Sequence, residues 1–319
     1  MKNAGRKIAI LGAGNVGATI AYTLTLSGLC SEIVLVDINK DKANGEALDL
    51  IQCSACVPSV KVYSGDYKDV KGADIVIVTF GIARKPDQTR LDLAKINVGI
   101  IKSTMPGVAK IAPNALYIIV SNPVDVLTYV TIKCTGLKKE RVIGTGTLLD
   151  TNRLDQAIAE YCNVDCSNVN SFVLGEHGDA CMVPWSVCTV SGLKVEDYCK
   201  KVLKVKEKAV KEELIELHQT TVKSGAKVIK AKGATYYAIA ASTVKLVKAI
   251  LSDSNSILPL STLLSGEYGA ENLCMGVPCM VGAGGLKKVI SLPLDVKEKE
   301  ILKEKVAQLD ATYEALEIR

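Results

Sequence analysis

Over residues 7–144 of this 319-residue chain, short Val/Ile-rich runs alternate with helical patterns, and few folds accommodate that order. Unbroken apolar runs predict strands that are covered on both faces, and the intervening helices predict that these strands pair in parallel. We therefore predict an α/β fold with a doubly wound parallel sheet, in which ligands bind at the carboxyl ends of the strands. The predicted strands are Lys7–Leu11, Glu32–Asp37, Lys61–Ser64, Ile75–Thr79, Leu116–Val120 and Val142–Gly144, and the helices between them are Val16–Gly28, Asp41–Ile51, Ile96–Ile111 and Val124–Thr135.

The pattern changes after Asp150, where longer helical segments and alternating apolar runs replace the regular strand–helix order. This change predicts a second domain of mixed α+β structure. We place the two domains at residues 1–145 and 146–319, and we expect tight packing because no Pro/Gly-rich linker separates them. The predicted segments of the second domain are helix Leu149–Cys162, alternating runs Val169–Leu174 and Val183–Val190, helical Val195–Ser252 with a break near Gly233, strands within Ile257–Pro293 and a final helix Val296–Leu316.

Charge and composition argue against several classes of protein. The 39 basic and 34 acidic residues give a net charge of +5 and are spread along the chain, so we predict no nucleic-acid partner. No apolar run reaches the ~18 residues of a membrane span, and the start of the chain lacks a signal peptide's apolar segment. We therefore expect a cytoplasmic protein with no membrane partner.

The eleven cysteines are an odd number, and residues such as Cys30, Cys134 and Cys188 lie within apolar segments. We interpret them as reduced thiols that act as small hydrophobic side chains. Cys53 and Cys56 form a C-x-x-C pair, but no second pair follows, so we predict no metal site.

A glycine motif follows the first predicted strand. Gly12, Gly14 and Gly17 have the spacing G-x-G-x-x-G and open a predicted helix, which places backbone N–H groups where a pyrophosphate binds. Asp37 ends the second predicted strand, 20 residues after Gly17. A carboxylate there accepts hydrogen bonds from ribose hydroxyls and repels a 2′-phosphate. The sequence therefore predicts a Rossmann domain that binds NAD in preference to NADP.

Five further segments follow in order along the chain and together resemble the L-lactate and malate dehydrogenase family. The resemblance extends from the first strand to the last helix. It implies NAD as the cofactor, a small 2-hydroxy or 2-oxo acid as the substrate, and a homotetramer or a dimer. The segments are RKPDQTR at 84–90, SNPVD at 121–125, DTNR at 150–153, GEHGD at 175–179 and KGAT at 232–235.

The resemblance assigns catalytic roles that the chemistry supports. His177 is the acid/base, because an imidazole exchanges protons in both directions near neutral pH. Asp150 orients the imidazole and stabilises its charged form. Arg153 binds the substrate carboxylate with two parallel hydrogen bonds, and Arg90 polarises the carbonyl. We interpret His218, the other histidine, as a surface residue on a charged helix.

The resemblance also implies a wider set of binding residues. Besides Arg153, those assigned to the substrate are Arg84, Asn122, Asp125 and Thr235. Besides the three glycines and Asp37, those assigned to the dinucleotide are Val16, Lys42, Tyr67, Gly81, Ile82, Ser103, Val120 and Asn122.

The identity of the hydroxy acid depends on conflicting signals. Arg84 occupies a position where malate-type relatives carry Arg and lactate-type relatives carry Gln, and an unpaired guanidinium in a dry pocket is costly. In contrast, Glu176, Thr235 and the segment Gly144–Thr147 resemble lactate-type relatives. We favour L-lactate and pyruvate, with malate and oxaloacetate as the alternative and a bulkier 2-hydroxy acid as a third.

Two substitutions bear on regulation. Many bacterial relatives bind fructose 1,6-bisphosphate through an Arg and a His, whose positions are taken here by Asp155 and Asn170. An acidic side chain repels a phosphate, so we predict no activation by this ligand. Two other classes remain as alternatives, namely an NAD-dependent glycosidase with a Cys/His manganese site and a non-catalytic NAD-binding regulator.

Overall fold

A computed structural model describes residues 5–82, 89–178 and 180–319 of the chain. Arg84 and Asp179 lie outside these ranges. The strands are β1 (Lys7–Leu11), β2 (Glu32–Val36), β3 (Lys61–Gly65), β4 (Ile75–Val78), β5 (Leu116–Ile119), β6 (Val142–Gly144), β7 (Val169–Asn170), β8 (Leu174–Gly175), β9 (Cys181–Met182), β10 (Thr189–Val190), β11 (Leu193–Lys194), β12 (Ser256–Ser265), β13 (Glu271–Gly282) and β14 (Gly285–Val289). The α-helices are α1 (Asn15–Ser27), α2 (Lys40–Gln52), α3 (Arg90–Ile111), α4 (Val124–Thr135), α5 (Leu148–Cys162), α6 (Val195–Lys201), α7 (Glu207–Lys232), α8 (Tyr237–Leu251) and α9 (Val296–Ala315).

The first six strands form a parallel sheet in the spatial order β3-β2-β1-β4-β5-β6. This order reverses between β1 and β4, and ligands of doubly wound sheets bind at such a reversal, beside the carboxyl ends of the strands. Strands β1 and β4 are almost wholly buried, as their unbroken apolar sequences predict. The predicted doubly wound α/β architecture is confirmed.

The second half of the chain extends this sheet, and β7, β10 and β11 form a small separate antiparallel sheet. Strand β12 pairs antiparallel with β6 through Ser261 and Gly144, and β13, β8 and β9 follow across the sheet. One hydrophobic cluster runs through both halves, while a second lies beneath α5, α6 and α7. The continuous sheet explains why no linker is present near residue 145.

Two elements differ from their predicted bounds for reasons visible in the structure. Helix α3 begins at Arg90, six residues before the predicted start, because Thr89 and Asp92 form a reciprocal capping box there. The run predicted over Val169–Leu174 is divided into β7 and β8. Between them, Ser171 donates to Asp155 of α5, and the N–H of Val173 is bound by the hydroxyl of Thr151.

The alternating run over Val183–Val190 is mostly not a strand. Pro184 has no N–H to donate to a ladder, and a single helical turn follows over Trp185–Val187. Buried Glu298 of α9 accepts hydrogen bonds from the backbone N–H and the hydroxyl of Ser186. Side-chain contacts therefore replace strand pairing here.

The interpretation of His218 as a surface residue is wrong. Its side chain is half-buried on α7, and Nε2 is buried without a hydrogen-bond partner in the described ranges. Burial and the nearby Lys305 lower the pKa of His218. The charged residues along α7 did not reveal that the packing of the chain buries Nε2 of His218.

The cysteines are free thiols, and most are buried, including Cys30 and Cys188. Burial raises the pKa of both thiols to about 12, so they remain neutral at physiological pH.

Across the part of the chain that the structure describes, no group of three His, Cys, Asp or Glu side chains could hold a metal ion. Within the same ranges, no helix is long and apolar enough to cross a membrane.

Candidate active site

The glycine turn after β1 is shaped by close packing. A Cβ on Gly12, whose φ is +107°, would lie 2.8 Å from the backbone nitrogen of Phe80. A Cβ on Gly17 would overlap the carbonyl oxygen of Gly12. Gly14, in contrast, faces open space, where a ligand could approach the backbone. The three glycines therefore have the distinct roles that the motif predicts.

This turn suits a dinucleotide. Helix α1 has no side-chain cap and no acidic residue in its first turn, so its first N–H groups and its positive end remain for an anion. Asp37 follows β2, and its Oδ2 accepts a hydrogen bond of 2.6 Å from the N–H of Ala13. The carboxylate that is predicted to bind ribose thus also fixes the glycine turn.

Two other loops at the same edge of the sheet are joined by a buried amide. Asn97 of α3 is 3% exposed, and its Oδ1 accepts from the N–H of Ile82 at 2.9 Å. Its Nδ2 donates to the carbonyl of Asn122 at 2.8 Å. Asn97 therefore fixes the two loops relative to each other. The sequence analysis did not identify Asn97, although its spacing from Ala94 and Ile101 places a polar residue on the apolar face of α3.

The other residues assigned to the dinucleotide differ in burial. Tyr67 follows β3, and burial together with the charge of Asp37 raises its pKa. Val120 is buried directly after β5, and Val16 is half-buried against the core. Both are also explained by packing alone. Lys42 in α2 and Ser103 in α3 are exposed, and Gly81 immediately precedes Ile82.

The central feature of the site is the contact of an imidazole with a buried carboxylate. Nδ1 of His177 lies 2.6 Å from Oδ2 of Asp150. The His177 side chain is 24% exposed and that of Asp150 is 4% exposed. Nε2 is the ring nitrogen that Asp150 does not hold. In this geometry Asp150 fixes the ring through Nδ1, and Nε2 is the nitrogen suited to exchange a proton with a ligand.

Two threonine hydroxyls explain why these residues meet across 27 positions of sequence. Thr147 donates to the carbonyl of Val173 at 2.5 Å, and Thr151 accepts from the N–H of Val173 at 2.9 Å. Both threonines lie at the start of α5 and flank Asp150 in sequence. Since Val173 is four residues before His177, this double contact sets the helix against the histidine loop.

The electrostatics of the pair favour its charged form. Burial alone would lower the pKa of His177, but the charge and the hydrogen bond of Asp150 outweigh burial and raise it. Burial opposes ionisation of Asp150, yet His177 and Arg153 together hold the pKa of that carboxyl below its usual range. The imidazolium is therefore stabilised relative to a histidine in water.

Arg153 lies one helical turn after Asp150. Its Nη1 is 3.4 Å from Oδ1 of Asp150, and its side chain is 16% exposed. A Cβ added to Gly225 of α7 would lie 3.4 Å from Nη2 of Arg153, so the guanidinium packs directly against this glycine and leaves room for little more than a methyl group. Sequence reasoning missed Gly225, because nothing in a helical segment signals a contact with another helix.

The remaining predicted site residues differ in how far their side chains are exposed. Asn122 is exposed after β5, Thr235 is half-buried between α7 and α8, and Arg90 is exposed at the first residue of α3. Asp125 is the exception among the residues assigned to substrate. It is 1% exposed and faces the backbone of His177, so direct contact with a substrate is not supported.

Comparisons with known proteins agree with this architecture. Residues 6–144 match the sequence family described as lactate/malate dehydrogenase, NAD binding domain. Residues 147–317 match the lactate/malate dehydrogenase, alpha/beta C-terminal domain.

Individual relatives match along nearly the whole chain. L-lactate dehydrogenase 1 of Clostridium acetobutylicum is 46% identical over 311 residues, which are 97% of this chain and 98% of the relative. An L-lactate dehydrogenase of Thermoanaerobacter pseudethanolicus is 43% identical over 311 residues, or 95% of this chain and 99% of the relative. The crystal structure of the minor L-lactate dehydrogenase from Enterococcus mundtii, in the ligands-bound form, matches with a TM-score of 0.93 and 40% identity over 99% of each chain. The fold, the glycine turn and these relatives together establish that the chain belongs to the lactate/malate dehydrogenase family, whose amino-terminal domain binds NAD.

Proposed function

We propose that this chain interconverts L-lactate and pyruvate by NAD-dependent hydride transfer. The observation that carries the proposal is the 2.6 Å contact of Asp150 with Nδ1 of His177, with Arg153 on the same helix face. The relatives reported above are L-lactate dehydrogenases, which favours lactate over malate as the substrate. Bound NAD supplies the hydride acceptor for oxidation of the alcohol.

The proton chemistry is assigned to His177. When the alcohol is oxidised, Nε2 accepts the hydroxyl proton, and in the reverse direction the imidazolium returns it to the oxygen. Asp150 supports this exchange because it fixes the ring and stabilises the positive charge that forms. The raised pKa of His177 keeps the imidazolium populated to higher pH, which favours pyruvate reduction.

Arg153 is assigned to the substrate carboxylate, and Arg90 is assigned to the carbonyl oxygen. Arg153 binds the carboxylate, since its planar guanidinium can form two parallel hydrogen bonds with it. Arg90 stabilises the charge that develops on the carbonyl oxygen once water is expelled. Asn122 hydrogen-bonds the same oxygen, and Thr235 lines the pocket. Arg84 remains a predicted contact that lies outside the described residues.

The assembly and setting of the protein are proposed from the same family membership. We propose a cytoplasmic homotetramer in which residues 1–145 bind NAD and residues 146–319 bind the substrate. A mass of 34.0 kDa per chain makes the tetramer easy to distinguish from a dimer by light scattering. A dimer at working concentrations would contradict the tetramer without affecting the assigned chemistry.

The function is tested by steady-state oxidation of NADH with pyruvate, oxaloacetate and 2-ketoisocaproate. We expect the highest kcat/KM with pyruvate. His177→Asn should abolish turnover, whereas His218→Gln, which alters the chain's other histidine, should retain it. A higher kcat/KM with oxaloacetate would contradict the proposed substrate. Full activity of His177→Asn would contradict the proposed acid/base.

A further inference from the structure

A second carboxylate lies behind the imidazole of His177. Asp125 is in the first turn of α4, and its Oδ2 accepts a hydrogen bond of 2.8 Å from the backbone N–H of His177. The residue is 1% exposed, so this contact is shielded from water. His177 is thus held at two points, through its ring by Asp150 and through its backbone by Asp125.

The Asp125 carboxylate is incompletely satisfied. Oδ1 has no hydrogen-bond partner among residues 5–82, 89–178 and 180–319. The hydroxyl of Ser261 is close enough to lower the pKa of the carboxyl, but it does not reach the geometry of a hydrogen bond. Burial outweighs this effect and raises the pKa of Asp125 to about 6. A buried carboxylate with an unbonded oxygen lowers the free energy of unfolding, and an uncharged side chain would avoid that loss.

Groups from several elements surround Asp125. The Tyr313 hydroxyl of α9 donates to the Asp125 carbonyl at 3.2 Å and accepts from the N–H of Cys274 at 3.1 Å. Burial raises the pKa of both Tyr313 and Cys274 well above the usual values, so both stay neutral. Asp150 contributes a second negative charge. Among the described groups that act on the Asp125 carboxyl, His177 is the one that can become a cation.

We infer that Asp125 is a positioning residue for His177, which fixes the backbone of the histidine loop and adds a second negative charge that stabilises the imidazolium. Asp125 touches neither the ring nitrogens nor any surface that a substrate reaches, so it acts through His177. The inference deepens the proposed function, because it concerns the residue assigned there as the acid/base. The inference predicts a change in the pKa of His177, which can be measured without substrate.

The test is an NMR titration of the imidazole signals in wild type and Asp125→Asn. The asparagine keeps the shape and an oxygen acceptor for the His177 N–H, but it removes the charge. Only two histidines are present, so His218→Gln assigns the spectrum. We expect the pKa of His177 to fall by about one unit in Asp125→Asn, since loss of a nearby opposite charge destabilises the imidazolium. The pH profile of pyruvate reduction should move to lower pH by the same amount.

Asp155→Asn is the matched control. Asp155 is half-buried, and burial raises its pKa to about 6 as it does for Asp125, but Asp155 binds Ser171 instead of the histidine loop. It should leave the pKa of His177 unchanged. An unchanged His177 pKa in Asp125→Asn, or an equal fall in both variants, would overturn the inference.

A measurement on the wild-type protein covers the case in which Asp125→Asn does not fold. With ¹⁵N-histidine labelling, the backbone amide of His177 should exchange with solvent at least about 100-fold more slowly than in an unfolded chain. Exchange at the unfolded rate would show that Asp125 does not hold this N–H. If His177 titrates as expected but the wild type reduces no 2-oxo acid, the proposed function fails and the positioning role stands.

Discussion

The guanidinium of Arg153 packs against Gly225 of α7, where an added Cβ would lie 3.4 Å from Nη2. Arg153 is assigned to the substrate carboxylate, and its orientation therefore depends on a residue of α7 that carries no side chain. A bulky residue at 225 should displace the guanidinium without removing its charge.

We predict that Gly225→Val raises the KM for pyruvate and lowers kcat/KM by about 10- to 100-fold, the loss expected for a weakened charge-assisted hydrogen bond. Steady-state kinetics with saturating NADH measure the effect. Gly107→Val is the control, because a Cβ at this exposed position of α3 meets nothing within 4 Å. Equal kinetics of the two variants would contradict the role given to Gly225.

Replacement of Asp150 tests the charge of the catalytic pair. Asp150→Asn keeps the shape but removes the interaction that outweighs burial, so the pKa of His177 should fall below its ordinary value. Pyruvate reduction requires the imidazolium and should therefore lose activity at lower pH than in wild type. We expect kcat to fall by about 10² or more. A pH profile identical to that of the wild type would disprove this account.

Asp37 is expected to set the cofactor preference. Asp37→Ser should increase the ratio of kcat/KM with NADPH to kcat/KM with NADH, because it removes the charge that repels a 2′-phosphate. Some loss with both cofactors is expected, since Oδ2 of Asp37 also binds the N–H of Ala13. Asp41→Ser, in the first turn of α2, is the control and should change neither. An unaltered ratio of the two cofactors would refute the assignment.

Arg84 tests the choice between lactate and malate chemistry. If Arg84 reaches the substrate, Arg84→Gln should lower kcat/KM for oxaloacetate by more than about tenfold, because a second carboxylate loses its partner. Activity with pyruvate should be retained. The ratio of the two kcat/KM values is the measured quantity. A ratio equal to that of the wild type would exclude Arg84 from substrate selection.

We predict no activation by fructose 1,6-bisphosphate. Asp155 occupies the position of a phosphate-binding Arg, and its Oδ1 accepts a hydrogen bond of 2.6 Å from Ser171, which places an acid where an anion would bind. Rates as a function of pyruvate should be the same with and without millimolar sugar bisphosphate. A sigmoidal curve that becomes hyperbolic on its addition would contradict the prediction.

The sequence was most informative where a local pattern has one structural solution. The Val/Ile runs predicted all six parallel strands, and each bound lies within one residue of the predicted one, because burial on both faces requires a continuous apolar segment. Predictions in the second half were weaker. The run Val169–Leu174 is extended only at its two ends, and Val183–Val190 only at its last two residues. Between these strands, side chains of α5 and α9 bind the backbone of Val173 and Ser186 instead.

The doubly wound architecture, the glycine turn and the residue types of the site could be predicted from the sequence, because each depends on periodicity or on a motif of neighbouring residues. Three contacts could not be predicted in this way. Thr147 and Thr151 bind the backbone of Val173, Asn97 joins two loops, and Asp125 binds the backbone of His177 instead of a substrate. These are contacts between segments far apart in sequence, and they form only when the elements pack. A single sequence contains no spacing that specifies them.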